Sequence, residues 1–527
     1  MSKKIVVCDA IHTRGFEILK SCDDIVYIDA SGEDKIKLLD IVSDADVVIT
    51  RSSTDIDEKF LEAAKNLKAI VRAGVGVDNV DIDGCSKRGI IAMNVPTANT
   101  IAAVELTMAH LLGSARSFTN SCNHLKHDRI WKREKWYGIE LKDKKLGVIG
   151  FGNIGSRVSK RALAFDMNVI AYDPYIDPSL PSQIGASYTK NFSDILDCDF
   201  ITIHTPKNSE TTDIITAKEI AQMKDGVRLI NVARGGLYNE DDLYDALKSG
   251  KVAYCGIDVF IKEPATDHKL LDIENLSATP HLGANTLESQ ERVAVQAVEN
   301  AINAALGISY ANALNLPIKD SDTPSEFKSY LDLGQKLAYL GAQINRGHIK
   351  GINIKACGDV SEYIDSLVTF TLVGALKESM GEKINYVNAK FVADEKKIEI
   401  KTEADAISMG YNNKIEISII TDETNLTIGG TVFEGSIQKI VNINDIELDI
   451  KPKGKMIFFK NDDKPGVIAK LSQILLDSNI NIVDFRLGSD SKTSAIAVVV
   501  IDSDLSKEVL EKLNNIPECK WVSYARV

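Results

Sequence analysis

The chain has 527 residues, 44% hydrophobic and 26% charged, enough at about 150 residues per domain for three or four globular cores. Its net charge of −13 argues against nucleic-acid or anionic-membrane partners, which need a broad basic face, while permitting a local basic pocket for a small anion. No apolar run approaches the ~18 residues of a membrane span, and the apolar residues 5–8 behind Lys3 and Lys4 are too few for a signal peptide. The eight cysteines are scattered without a Cys-x-x-Cys pair, the pattern of reduced thiols in a cytoplasmic protein with no metal site.

In chain order, short β-branched runs alternate with helical periods. Strands are predicted at 4–8, 47–50 and 69–72 in a first block, residues 1–95. A helix over 99–117, with Ile101, Leu106, Met108, Leu111 and Leu112 on its apolar side, bridges to a second block, 96–283, with strands at 146–150, 169–172, 200–204 and 229–232. Such alternation predicts two parallel-sheet α/β domains. A helix over 286–305 is expected to return to the first domain, so 284–313 is grouped with 1–95. The polar, turn-rich segment 319–324 predicts a linker. The domain around it, 314–451, is expected to be α+β, with helices at 326–345 and 363–380 and strands at 414–421, 425–433 and 437–442. After a break at 451–454, the order β, α, β, β, α, β over 455–525 predicts a ferredoxin-like last domain, 452–527.

The sharpest motif is Gly150-Phe151-Gly152-Asn153-Ile154-Gly155. A predicted strand precedes it, and a helix with Ile154, Val158 and Ala162 four residues apart follows. Asp173 closes the next strand, 23 residues beyond Gly150. The glycines allow a tight turn, close approach of a pyrophosphate and helix–strand packing, and the helix N-terminus stabilises phosphate charge. Asp173 can accept from ribose hydroxyls and would repel a 2′-phosphate, which selects NAD over NADP.

Among eight histidines, His281 stands apart, on a loop flanked by Pro280 and Gly283 at the end of the nucleotide domain. Arg234 follows a strand in the run 231–236, and Glu263 precedes Pro264 after another strand. Taken singly, Arg234 and Glu263 read as ordinary strand-end and turn residues. Together they answer what oxidation of an alcohol to a ketone requires. His281 supplies a base for the hydroxyl proton, Glu263 a partner for that base, and Arg234 a cation for the substrate oxygen or carboxylate.

The runs 72–81 (RAGVGVDNVD), 150–155, 231–236 and 280–284 resemble the D-isomer-specific 2-hydroxyacid dehydrogenases, and the likeness extends over essentially the whole chain. It implies two Rossmann-like domains, then an α+β intervening domain like an allosteric substrate-binding unit, resembled most by 425–435, then an ACT domain. The family's catalytic Arg, Glu and His fall on Arg234, Glu263 and His281. Its cofactor contacts fall on Gly150, Gly152, Asn153, Ile154, Gly155, Asp173, Thr205, Val232, Ala233, Arg234, Asp258, His281, Gly283 and Ala284. The activity implied is NAD-dependent oxidation of 3-phospho-D-glycerate to 3-phosphohydroxypyruvate, the entry to L-serine synthesis, by a homo-oligomer (dimer or tetramer). Val75 stands where some relatives carry Thr, and Ile261 and Ala265 depart from the usual neighbours of the catalytic Glu.

Arg51 and Arg72 follow strands whose carboxyl ends would face the cleft, where two guanidiniums suit a phosphate. Gly74 of the same motif would lie beside the substrate. Arg133, in the basic segment 129–136, offers a third charge that in similar enzymes reaches the neighbouring subunit's site. In the last domain the resemblance implies an L-serine effector held by Asn461, Asp463 and Asn481, residues that are equally ordinary as turn and cap positions. Two rival readings are a glyoxylate or hydroxypyruvate reductase, against which the extra domains weigh, and a non-catalytic NAD-sensing scaffold of the corepressor kind.

Overall fold

The computed structural model describes residues 2–316, 324–407, 410–490 and 493–527. The expected linker at 319–324 lies, apart from Pro324, outside the described residues.

Two all-parallel sheets occupy the first half. One has five strands in the order Ile25–Asp29, Lys3–Val7, Val47–Thr50, Ala69–Arg72, Ile91–Met93. The other has seven, in the order Leu276–Ala278, Val252–Ile257, Val227–Asn231, Phe200–Ile203, Lys145–Ile149, Asn168–Tyr172, Ser187–Thr189. Central strands such as Val47–Thr50 and Phe200–Ile203 are buried throughout, because helices cover both faces, and they read in sequence as unbroken apolar runs. Within each sheet, parallel pairing gathers all the carboxyl ends along one edge. Strand order in the second sheet reverses between Phe200–Ile203 and Lys145–Ile149, opening the crevice where such sheets bind ligands.

Helix Thr100–Arg116 packs Val104, Met108, Leu111 and Ala115 against Leu146, Val148, Phe200 and Ile230 of the second sheet. Its buried face is rotated from the expected one. Ile101 and Leu112 are exposed at 40% and 37%, while Ala102 and Ala103 are inside, since small side chains let helix and sheet approach. Helix Leu287–Ala305, capped by Thr286, places Val293, Ala297, Val298 and Ala301 in the core of the first sheet.

In the second half a mixed six-stranded sheet runs Glu399–Asp405, Ile349–Cys357, Lys414–Thr421, Asn425–Phe433, Ile437–Ile443, Ile446–Ile450, with only its first pair parallel. Helices Ser325–Ile344 and Ile364–Met380 share its core. Strands Ile349–Cys357 and Glu399–Asp405 and helix Ala389–Glu395 were not anticipated from sequence. The final sheet is antiparallel, Ile482–Ser489, Ser494–Ile501, Lys455–Asp462, Cys519–Arg526. Helices Val467–Asp477 and Lys507–Asn514 cover one face. The opposite face, with Met456, Phe458, Ile496, Val498 and Ala525, joins the core of the six-stranded sheet. Among the described residues, no helix is long and apolar enough to cross a membrane, and no cluster of three or more His, Cys, Asp or Glu is arranged to hold a metal.

Candidate active site

The glycine turn leaves strand Lys145–Ile149 with Gly150 at φ 87°, in the left-handed region that favours glycine. A Cβ there would sit 2.7 Å from the His204 carbonyl, and one at Gly155 would sit 2.0 Å from the Gly150 carbonyl, whereas one at Gly152 would meet nothing within 4 Å. Gly150 and Gly155 therefore close the turn, and Gly152 leaves its outer side open to a ligand. Asn153 and Ile154 carry the chain into helix Gly155–Leu163. Asp173 accepts the Phe151 N–H at 2.9 Å and the Tyr175 N–H at 3.0 Å, which fixes its carboxylate at the mouth of the turn. The Thr205 hydroxyl is buried without a partner. An open glycine turn, a positioned acid and a buried free hydroxyl fit a dinucleotide.

His281 has φ 54°, and its loop is bound to Asp258. The Asp258 carboxylate accepts the Thr279 hydroxyl at 2.6 Å and the Leu282 and Gly283 N–H groups at 2.7 and 2.8 Å. Its carbonyl accepts the His281 N–H at 2.9 Å. Burial pushes the Asp258 carboxyl up from its ordinary range, against the lowering effect of those bonds. The neighbouring Ala284 carbonyl accepts Gln290 Nε2 at 3.0 Å. His281 Nδ1 lies 2.7 Å from Glu263 Oε2, and Glu263 Oε1 accepts the Phe260 N–H at 3.0 Å. With its proton held on Nδ1, the neutral imidazole presents Nε2 as an acceptor.

Arg234 sits on a loop closed by Asn231, which donates to the Arg234 carbonyl at 2.9 Å and accepts the Ala233 N–H at 3.0 Å. Val232, between them, is buried. The guanidinium reaches the first lobe, with Nε 3.6 Å from Asp78 Oδ2. Its Nη2 lies so near Gly76 that a Cβ there would be 2.4 Å away. Arg72 folds back over Gly74, where a Cβ would be 1.6 Å from Nη1, so glycine is required for the guanidinium to lie there. The Arg72 Nε is buried without a partner. Burial first, then the charges of Arg234 and Arg51, pushes this guanidinium down to about 10. Three cations that repel one another at a cleft make a site for a multiply charged anion. Arg51 donates Nη1 to the Ala10 carbonyl at 3.1 Å.

Two of the expected sets are not brought together within one chain. Arg133 is on an exposed turn, Arg133–Lys135, whose Lys135 pairs with Glu274. Glu274 precedes strand Leu276–Ala278, at the sheet end opposite to His281, so Arg133 does not reach its own cleft. Asp463 accepts the Ser489 hydroxyl at 2.8 Å, and Asn461 lies at the same end of the sheet, across Ala495 from Ser489. Asn461 is buried, with Oδ1 unpartnered. Asn481 lies at the other end of the sheet, since Ser489 pairs with Ala495 but Ile482 with Ile501, roughly 20 Å away at ~3.3 Å per residue.

Sequence reasoning missed Asp9, Asp78 and Asn99. Asp9 is buried and holds the turn after Val47–Thr50 by accepting the Arg51 N–H and the Thr54 hydroxyl. Asn99 begins helix Thr100–Arg116 with a buried, unpartnered Oδ1. An acid after a strand and an Asn before a helix are too common to stand out, although Asp78 lies inside a motif already singled out.

Residues 108–283 match the D-isomer specific 2-hydroxyacid dehydrogenase NAD binding domain, and the fold and site together define a dehydrogenase of that class with NAD as cofactor. Residues 326–444 match the D-3-phosphoglycerate dehydrogenase intervening domain and 455–518 the ACT domain. Curated D-3-phosphoglycerate dehydrogenases of Bacillus subtilis and Methanocaldococcus jannaschii are both 34% identical, over 98% and 99% of this chain and the same shares of their own lengths. That of Synechocystis is 33% identical over 97% of this chain and 93% of its own. Of solved structures, the TT0316 protein of Thermus thermophilus aligns at TM-score 0.55 and 31% identity over 59% of this chain and 99% of its own. A D-lactate dehydrogenase of Aquifex aeolicus, complexed with NAD and lactic acid, aligns at 0.52 and 29% over 59% of this chain and 99% of its own. The chain belongs to the D-3-phosphoglycerate dehydrogenase family.

Proposed function

We propose that the protein oxidises 3-phospho-D-glycerate at C2 to 3-phosphohydroxypyruvate, the first step of L-serine synthesis. The observation that carries this reading is the His281–Glu263 pair on one lobe of a cleft where Arg51, Arg72 and Arg234 converge. When bound, NAD supplies the hydride acceptor. His281 Nε2 takes the C2 hydroxyl proton, and Glu263 stabilises the imidazolium that results. Arg234 holds the substrate carboxylate and polarises the C2 oxygen. Arg51 and Arg72 hold the phosphate through charge-assisted bonds, with Gly74 giving Arg72 its place. Gly150, Gly152 and Gly155 admit the pyrophosphate and Asp173 the ribose. Thr205, Val232, Ala233, Gly283 and Ala284 line the remaining cofactor surface, while Asp258, fully buried, holds the His281 loop behind it.

We assign the protein to the cytoplasm as a homo-oligomer with L-serine as effector. Asp463 of one copy, with Asn461 buried behind it, would approach Asn481 of another if two final sheets paired along their Ile482–Ser489 edges. Leu476, Val483 and Leu487, exposed at 69%, 62% and 49%, supply apolar surface for such pairing. Arg133 would serve the partner's cleft in the same assembly. The test is NADH absorbance over a panel of 2-hydroxy acids. Turnover with 3-phosphoglycerate well above D-lactate, D-glycerate and glycolate supports the reading, and a preference for a non-phosphorylated acid overturns it.

A further inference from the structure

The loop that carries Glu263 leaves strand Val252–Ile257 and rejoins regular structure at the turn Lys269–Asp272. Glu240, in the first turn of helix Glu240–Ser249, is only 8% exposed, and a buried carboxylate needs partners. Its partners are the two ends of this loop. Oε1 accepts the Ile261 N–H at 2.6 Å, and Oε2 lies 3.0 Å from His268 Nε2. Because His268 Nδ1 accepts the Leu270 N–H at 3.3 Å, the ring proton sits on Nε2 and is donated to Glu240. The Phe260 ring packs on the His268 ring, centroids 5.2 Å apart. Residues 262–267 thus lie between two points of a loop that are both held by one carboxylate.

Glu263 sits in that span, and the Phe260 N–H bonds back to its Oε1 at 3.0 Å. The opposing Arg234 loop presses on the same backbone. A Cβ at Gly235 would lie 2.1 Å from the Phe260 carbonyl carbon and oxygen and 2.5 Å from the Ile261 nitrogen. Displacement of residues 260–261 therefore shifts Glu263 relative to His281 and alters the seat of Arg234 in one movement.

We propose that Glu240 and His268 form a second carboxylate–histidine pair whose task is to position Glu263 against His281. This rests on His281 being the base. A general base acts only within tenths of an ångström of its productive geometry, and an error of about 1 Å can cost about 10²-fold. If Glu240 merely favoured its helix N-terminus, its loss would lower stability and leave turnover per folded molecule unchanged.

The experiment uses the full-length enzyme with NAD and 3-phosphoglycerate, and compares Glu240→Ala, Glu240→Gln, His268→Ala and His281→Ala by kcat, both KM values and thermal melting. Glu240→Ala is expected to lower kcat about 10- to 100-fold with KM for NAD within about twofold, while KM for 3-phosphoglycerate rises as Arg234 is unseated. His268→Ala should fall in the same direction by less. Glu240→Gln, which keeps an acceptor for the Ile261 N–H, should recover most of kcat. If Glu240→Ala does not fold, His268→Ala decides. A folded Glu240→Ala or His268→Ala with kcat within about twofold of wild type overturns the proposal, as does a Gln variant no better than Ala. If His281→Ala itself keeps turnover, the reading of the base fails. Loss in His281→Ala beside full activity in the clamp variants removes the clamp alone.

Discussion

The two halves of the molecule place their polar loops by opposite rules. In the first half, all strands of each sheet are parallel, so loops far apart in sequence emerge at the same edge. Arg51, Arg72, Arg234, Glu263 and His281 meet there although they span 230 residues. In the final sheet, neighbouring strands are antiparallel, and successive loops alternate between ends. Asn461 and Asp463 are therefore divided from Asn481 by a strand's length. The parallel sheets gather their polar set at one edge, whereas the antiparallel sheet divides its own between its two ends.

The largest effect tests the self-sufficient half. His281→Ala is expected to lower kcat by about 10² to 10⁴, with NAD affinity measured by fluorescence unchanged. A variant near full turnover would mean that convergence at the strand ends does not make the acid–base centre. Arg72→Ala should raise KM for 3-phosphoglycerate about 10- to 100-fold through a lost charge-assisted bond, while KM for NAD stays within about twofold. Equal shifts in both would place Arg72 outside the phosphate site. Asp173→Ala should weaken NAD by about tenfold and narrow its advantage over NADP. Unchanged constants for both cofactors would remove it from the ribose site.

The divided half is tested by complementation. Asp463→Ala and Asn481→Ala should each abolish inhibition by serine with turnover intact. Mixed subunits of the two variants should regain part of the response, because one interface then carries both native residues. A mixture as unresponsive as its parents would argue that the site lies within one chain. The smallest effect concerns acid. Burial pushes His110, bonded to Ser277 and Thr279 at 3.0 Å, down to about 4 and His204 down to about 3. Each takes up its proton more readily when unfolded, so the stability that the neutral ring contributes is complete above pH 6.5 and is lost as pH falls toward 4 and 3. The limit is about 1.4 kcal/mol per pH unit per histidine. His110→Gln should flatten the slope of the denaturant midpoint between pH 6.5 and 5. An unchanged slope would assign the acid sensitivity elsewhere.

What could be read in the sequence follows this division. Gly150 and Gly155 are dictated by a turn only glycine permits, Gly152 leaves its outer side open, and strand, helix and Asp173 stand at fixed offsets, so the nucleotide turn is local information. The order of elements in the last domain is legible for the same reason. Strand Ile349–Cys357 escaped because Lys350, Gly351, Asn353 and Lys355 interrupt its apolar residues, although Ile352, Ile354 and Ala356 keep the period of two. The Glu240–His268 pair is invisible because its members are ordinary residues until the fold joins them. Ile101 and Leu112 misled because apolar character does not say which side of a helix a sheet will cover.

Met456, Phe458, Ile496, Val498 and Ala525 share one core with Leu333, Leu337, Ile417 and Ile428. Gln343 and Arg526 exchange two hydrogen bonds of 3.1 Å, and the Ser523 hydroxyl donates to the Ile344 carbonyl at 3.2 Å. Two segments that match separate families are thus expected to unfold as one cooperative unit, which calorimetry would show as a single transition for the pair. Cutting the chain after residue 454 would uncover a continuous apolar face and yield a sticky fragment rather than an unregulated enzyme. The final sheet is thereby joined directly to helix Ser325–Ile344, which supplies Leu333 and Leu337 to the shared core.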